Sequence, residues 1–413
     1  MTALIARTRP LPSWFDPLQH VPAQGAVVWA REQRSLVAWG EAWRTDPGAG
    51  DGRFHTAAGR LRSWLARLTV DDRVEAWGTG PLAFGSFTFD PDDPSSLLVV
   101  PAVVLGRDGD TAWITTLGEG QRLPGRAPAP PVPAAGARRL GSSVDDAAWL
   151  ESVARARQCV VDGVLDKVVL ARDVVLERDE PVVSRDVVLS LARAYPDCFA
   201  FAFDGMVGAT PELLVRLRSG AVESVVLAGS APRGETRDGD ERMGERLLAS
   251  AKDRREHELA LRTVREPLER LCEGIEVDPT PSLLRLGYVQ HLCTRVRARA
   301  RRTCVLELAG ALHPTAAVCG VPTDKALSAI RELERFERGR YCGAVGWTDA
   351  RGDGEWGIAL RCAQLDGRRA RLFSGAGIVA GSDPHAELRE TEIKLRPLLE
   401  ALGAEVRRGE HAS

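Results

Sequence analysis

The residues best suited to chemistry lie beyond residue 140. Glu387, Glu390 and Lys394 are spaced i, i+3 and i+7, which places them on one face of a helix. Two carboxylates so close repel each other unless a cation lies between them. A hard ion such as Mg²⁺, bound through oxygens and retained waters, suits that role. Lys394 would add a fixed positive charge for an anionic substrate. The same spacing also fits a solvated face with a Glu390–Lys394 ion pair, and this helix alone does not separate the two readings. Glu256, within Lys252-Asp-Arg-Arg-Glu-His-Glu258, would complete a cation site if it faced Glu387 and Glu390. By composition it belongs equally to an exposed charged helix.

Proton transfer has two candidates. Lys167 stands in an apolar strand, between Val164-Leu165 and Val168-Val169-Leu170. Turned inward it loses solvation, which lowers its pKa and suits it to act as a general base. Turned outward it is an edge-strand lysine. Glu212 follows Pro211 in Gly208-Ala-Thr-Pro-Glu-Leu-Leu214. Partly buried, it would hold its proton to higher pH and could donate it; otherwise it is a strand-end carboxylate. Arg361, in Gly357-Ile-Ala-Leu-Arg-Cys-Ala363, reads as a charge inside an apolar strand. It could grip a carboxylate through two parallel hydrogen bonds or pair with a structural acid. Tyr341 could add a hydroxyl donor.

Two small-residue segments could line a pocket. Ser374-Gly-Ala-Gly-Ile-Val-Ala-Gly-Ser382 reads as a loop whose Gly375 and Gly377 leave backbone N–H groups open to an anion. Its Gly-x-Gly-x-x-Ala pattern is not a dinucleotide fingerprint. Ile378-Val379 intervenes, the next helix opens only at Pro384, and too little chain remains for a βαβ unit. His313-Pro-Thr-Ala-Ala317-Val-Cys-Gly320 follows a helix and is either a pocket wall or a connector.

The elements that must carry these groups follow from periodicity. A helix opens near a Ser143–Asp146 capping box and ends at Gly163. Strands are expected at 167–172, 199–203, 213–217, 222–227 and 283–296. One long polar helix spans 240–271, with further helices at 184–194, 304–312 and 323–335. Tyr341–Thr348 and Trp356–Gln364 read as paired strands joined by a turn. Arg371–Val379 leads into a last helix from Pro384 to Leu402. Before residue 122, Leu97–Leu105 and Thr111–Thr116 are strand-like. Short turns between strands predict largely antiparallel sheets in a layered α/β arrangement. Residues 123–136, LPGRAPAPPVPAAG, are too rich in Pro, Ala and Gly for a helix or inner strand and mark a connector.

Bulk properties exclude several classes. The chain has 413 residues, 44% of them hydrophobic, with 55 basic and 57 acidic residues. A net charge of −2 supplies no field to gather nucleic acid. Eight cysteines occur without a CxxC pair, so neither a zinc site nor a redox pair is indicated. No 18-residue apolar run and no signal-peptide pattern is present, so a cytoplasmic protein without a membrane span is expected.

In order along the chain come Lys167-Val-Val-Leu-Ala-Arg172, Gly208-Ala-Thr-Pro-Glu-Leu-Leu214, Leu227-Ala-Gly-Ser-Ala-Pro-Arg-Gly234, Ser250-Ala-Lys-Asp-x-x-Glu-His257, His313-Pro-Thr-x-Ala-x-x-Gly-x-Pro322, Gly375-Ala-Gly-Ile-Val379 and Glu387-x-x-Glu-Thr-x-x-Lys394. This series resembles the chorismate-utilising enzyme family over about residues 145–403. The resemblance implies one large α+β domain of two stacked, mainly antiparallel β-sheets flanked by helices. Residues 1–122 would be a divergent part of the same fold, 123–139 a connector, 140–405 the catalytic region and 406–413 a tail.

The resemblance also implies Mg²⁺ held by Glu256, Glu387 and Glu390. Gly229 and Lys394 would lie near the ring carboxylate of chorismate. Tyr341, Arg361, Gly375 and Gly377 would lie near its enolpyruvyl carboxylate. Lys167 matches the base of water-using members and Glu212 the acid that helps the C4 hydroxyl leave. Ala317 stands where pyruvate-releasing members generally carry Thr, so retention of pyruvate and release of isochorismate are expected. Such a product would serve menaquinone or a catechol siderophore. A monomer without a glutaminase subunit is implied. The alternatives are a salicylate synthase, an ammonia-using anthranilate or aminodeoxychorismate synthase subunit, and a non-catalytic binding protein on the same fold.

Overall fold

The computed structural model describes residues 4–118, 124–126 and 136–404. Most of the 123–139 connector and the whole 406–413 tail lie outside them. Among the described residues the chain forms one sheet of 13 strands and a second of 10. Pairing between these strands is antiparallel except between Ile5–Leu11 and Thr69–Asp72. The N-terminal residues supply strands to both sheets: Val27–Arg31 joins the larger beside Phe199–Phe203, and Leu82–Ser86 joins the smaller beside Ala344–Asp349. The fold is therefore the single α+β domain that the family resemblance implies.

Phe199-Ala-Phe-Ala-Phe203 shows how the layers form. Strand side chains alternate between faces. Phe199, Phe201 and Phe203 enter a core fed by both sheets. Ala200 and Ala202 face the other way, into a second core against helices Ser184–Ala194 and Pro384–Ala401. The small alanines let the helices lie close.

Five expected elements are corrected. The 240–271 helix is two helices, Arg237–Ala249 and Ala251–Leu271, broken at Ser250. The Ser250 hydroxyl accepts from the Asp253 N–H and caps the second helix. The 283–296 strand is a hairpin, Ser282–Arg285 and Val289–Ala300. Leu97–Leu105 splits at Pro101: Leu97–Val100 lies in the smaller sheet and Val103–Asp108 in the larger. Trp356–Gln364 splits likewise into Gly354–Ile358 in the smaller sheet and Cys362–Asp366 in the larger. Asp145, not Ser143, caps the first catalytic-region helix. Ser143 instead donates to Asp173 at 2.6 Å.

Helix Pro384–Ala401 is fixed to strand Lys167–Glu177 by a buried arginine. Arg172 is 1% exposed and donates to Glu392 Oε1 at 2.7 Å and to Thr391 at 3.3 Å. Arg139 reinforces Glu392 with two bonds of 3.1 and 2.9 Å. Removing one member of a buried pair strands the other. Arg172→Met should therefore destabilise the fold by about 2 kcal/mol, below the usual figure because Glu392 keeps Arg139. Urea unfolding monitored by tryptophan fluorescence measures it, and an unchanged midpoint would refute the anchor.

Candidate active site

All twelve candidate site residues line one cavity of about 120 Å³: Lys167, Glu212, Gly229, Glu256, Ala317, Tyr341, Arg361, Gly375, Gly377, Glu387, Glu390 and Lys394. They come from elements more than 200 residues apart in the chain. A larger hollow of about 700 Å³, lined by Trp29, Trp77, Trp113 and Trp347, shares only Pro211 with it.

Lys167 opens strand Lys167–Glu177 and is 1% exposed. Its Nζ lies 2.8 Å from Glu256 Oε1. The inward orientation expected of Lys167 is thus present, with a carboxylate partner. Glu256 is aimed by its neighbour His257. Buried His257 contacts the Ala228 carbonyl at 3.1 Å through Nδ1 and Thr294 Oγ1 at 2.7 Å through Nε2. Burial pushes its pKa down, so a neutral ring ties helix Ala251–Leu271 to two strands.

Glu212 lies at a crossing between sheets. Met206–Thr210 belongs to the larger sheet and Leu213–Arg218 to the smaller, and Pro211-Glu212 spans the gap. The Glu212 carboxyl is 5% exposed. Burial raises its pKa to about 8, against the opposing pull of Lys167, Arg361 and Lys394. At neutral pH it carries a proton.

Arg361 corrects an expectation. It is not inside a strand but in the return crossing from Gly354–Ile358 to Cys362–Asp366, with a left-handed φ of 48°. That backbone conformation is unfavourable for a non-glycine residue. Burial pushes its pKa down. Its Nη2 donates to His291 Nε2 at 3.5 Å. Burial and the charges of Arg361 and Lys394 lower the pKa of His291 to about 3, so the ring is neutral and can accept.

The glycine segment is also corrected. Gly375 and Gly377 stand in strand Arg369–Ile378, opposite Ala171 and Val169. The N–H groups of Val169 and Ala171 bond elsewhere, to Cys319 O at 2.8 Å and Glu334 Oε1 at 2.7 Å. Both are therefore non-hydrogen-bonded pairs, in which the two residues point their backbone groups away from each other. The Gly375 and Gly377 N–H groups stay off this ladder, as their proposed use requires, although on a strand and not in a loop. Space explains Gly377: a β-carbon there would lie 2.8 Å from Glu256 Oε1 and 3.0 Å from Lys167 Cε. Gly229 is a bulge residue at φ 76°, where the register slips between Ala228 and Ser230. Tyr341 is buried and stacks on Phe373 at 5.0 Å, and burial raises its pKa far above the usual phenol value.

Helix Pro384–Ala401 presents Glu387, Glu390 and Lys394 to the cavity, as their spacing predicts. Lys394 Nζ lies 2.5 Å from Glu390 Oε1 and donates to Gly375 O at 3.0 Å. Ser230 donates to Glu390 at 2.9 Å. Burial works upward on Glu390, but Lys394 and Ser230 outweigh it and hold its pKa low. Glu387 has no lysine at such close range; burial and Glu390 raise its pKa against the opposing hydrogen bond from Ser382, and Lys252 lies 4.0 Å away. The donor set suits a hard divalent ion: all oxygen, mutually repelling and under-neutralised. Among the described residues, no three such side chains stand at ligating spacing; Glu256 and Glu390 are engaged by lysines.

Sequence reasoning missed Lys252, Asp253 and His291, which also line the cavity. Lys252 and Asp253 were visible only as part of a charged helix face. His291 carries no spacing signal, because its strand meets the others only across the sheet.

Residues 124–403 match the chorismate binding enzyme family. The isochorismate synthase DhbC of Bacillus subtilis is 35% identical over 94% of this chain and 96% of its own. The salicylate biosynthesis isochorismate synthase of Pseudomonas aeruginosa is 36% identical over 94% and 89%. The structure of MenF, the menaquinone-specific isochorismate synthase of Escherichia coli, superposes with a TM-score of 0.82 at 27% identity, covering 97% of this chain and 94% of that one. On the matched residues, the shared fold and the common cavity, the chain belongs to the chorismate binding enzyme family.

Proposed function

We infer that this chain is an isochorismate synthase, which adds water at C2 of chorismate and removes the C4 hydroxyl with the enolpyruvyl group retained. The observation that carries the reading is a buried lysine and a protonated carboxyl in one cavity, Lys167 and Glu212. Acid and base must both be present when one hydroxyl enters as another departs. The isochorismate synthases that the chain resembles over 94% of its length support the same reading.

In the proposed reaction Lys167, acting as the uncharged amine once Glu256 no longer holds it as an ion pair, takes a proton from water as the oxygen bonds to C2. The ring double bonds shift, the C4–O bond breaks, and Glu212 gives its proton to the departing hydroxyl. One water enters and one leaves, so the change is an isomerisation. Arg361, Tyr341 and the backbone at Gly375 and Gly377 would hold the enolpyruvyl carboxylate, and Gly229 and Lys394 the ring carboxylate. A Mg²⁺ ion bound by Glu256, Glu387 and Glu390 would offset their charge and anchor that ring carboxylate. Ala317 offers a methyl where a hydroxyl could assist loss of pyruvate, so the enolpyruvyl group stays. We place this activity in the cytoplasm, in a monomer that needs no glutaminase. No helix among the described residues is long and apolar enough to cross a membrane.

Chorismate and Mg²⁺ given to the purified chain should yield isochorismate by chromatography. Fluorescent salicylate from the first turnovers would overturn the role of Ala317, and ammonium-dependent anthranilate the role of Lys167. Lys167→Ala and Glu212→Gln should each lower kcat by at least about 10²-fold while circular dichroism stays unchanged. Near-normal rates in either would remove that residue from the reaction. Because Glu212 works protonated and its pKa is raised to about 8, the alkaline limb of kcat/KM should fall as pH rises through that value. A profile that climbs across this range would contradict the assignment. Glu390→Ala should raise the Mg²⁺ concentration for half-maximal rate by at least about tenfold; an unchanged titration would count against the ligand set.

A further inference from the structure

Strand Lys167–Glu177 has an incomplete edge. On the side away from the glycine strand, Gly320–Val321 pairs only with Lys167 and Val168. The next neighbour, Arg138–Gly141, begins at Val175. Between them the backbone groups of Val169 and Ala171 face a gap inside the protein. Buried backbone groups must find partners, and two charged side chains supply several of them.

Glu334 and Arg338, 4% and 5% exposed, form an ion pair with Nε–Oε2 at 2.8 Å and Nη2–Oε1 at 2.5 Å. Glu334 Oε1 also accepts from the Ala171 N–H at 2.7 Å. Arg338 Nη2 donates to the Val169 carbonyl and Nη1 to the Val318 carbonyl, each at 2.8 Å. The guanidinium lies 4.1 Å from the Phe89 ring centre. The backbone carbonyl of Arg338 accepts from the Tyr341 N–H at 3.0 Å.

These contacts reach three walls of the cavity. Val169 lines it two residues after Lys167, Val318 lines it beside Ala317, and Tyr341 lines it directly. We propose that the Glu334–Arg338 pair is a positioning device, holding the Lys167 strand, the Ala317 loop and the Tyr341 turn in one register without touching substrate. A buried ion pair is a poor source of stability compared with an apolar pair of the same size. Its value here is directional: a planar fork of donors meets two carbonyls and a carboxylate at once. The proposal rests on the isochorismate synthase reading, since it concerns the alignment of groups assigned to that reaction.

Two variants test it. Arg338→Lys keeps the charge but cannot span Glu334 and both carbonyls. The double variant Glu334→Leu with Arg338→Met removes both charges, and so avoids a stranded one if the lysine variant fails to fold. Each folded variant, assayed well below its own thermal midpoint, should lose about 10- to 100-fold in kcat with KM for chorismate within about threefold of the parent. Amide hydrogen exchange across 315–321 should quicken in the same variants. A folded variant that keeps kcat within about twofold, or one whose exchange across that loop is unchanged, overturns the proposal. The unaltered chain in the same assay tests the activity itself: failure there rejects the function, and failure to see a loss in the variants rejects only the positioning role.

Discussion

The structure is organised around the cost of gathering charge in a small space. Four cationic side chains and five carboxyl groups face one cavity of about 120 Å³. Burying ions is expensive unless each meets a counter-charge or changes protonation. Both solutions occur side by side. Lys167 meets Glu256 and Lys394 meets Glu390. Glu212, with no carboxylate or amine in bonding range, keeps its proton instead. The cavity's acid and its ion pairs are thus two answers to one electrostatic constraint. Glu387 lies between these answers: burial and Glu390 raise its pKa, while Ser382, Lys252 and Lys394 oppose them.

The position of the cavity follows from how the two sheets are joined. Pro211-Glu212 and Ala359–Arg361 are two of the segments where the chain passes from one sheet to the other. Backbone at a crossing cannot stay in a ladder, so its groups and side chains are free to face a hollow. Glu212 and Arg361 owe their places to this. The surrounding elements are then fixed by polar anchors. Arg172 holds the helix of Glu387, Glu390 and Lys394, while His257 holds that of Glu256. Glu334 and Arg338 close the open edge of the Lys167 strand. Each anchor ties a cavity-lining residue to a distant part of the chain, and so each sets alignment as well as stability.

Much was legible in the residues themselves. The spacing of Glu387, Glu390 and Lys394 fixed their common face, because a helix of 3.6 residues per turn permits no other arrangement. The apolar flanks of Lys167 indicated a buried strand. Pro211 marked the irregular entry to Glu212. A largely antiparallel, layered arrangement followed from short strands with short turns; that the layers are two stacked sheets came from the family resemblance. None of this required knowing where any other segment lay.

Tertiary structure decided what local periodicity cannot encode. Leu97–Leu105 and Trp356–Gln364 read as single strands because a residue passing between two sheets is as buried as one within either. Only the pairing reveals the break, and with it the left-handed crossing that places Arg361 at the cavity. The glycines at 375 and 377 signalled open backbone N–H groups, but which groups crowd Gly377 (Lys167 and Glu256) depends on register between distant segments. The choice for each carboxylate between solvent, lysine and cation likewise had no answer in the sequence alone. Composition states which charges exist; the low-dielectric cavity formed by two sheets and their helices determines which of them must pair, and which must stay protonated.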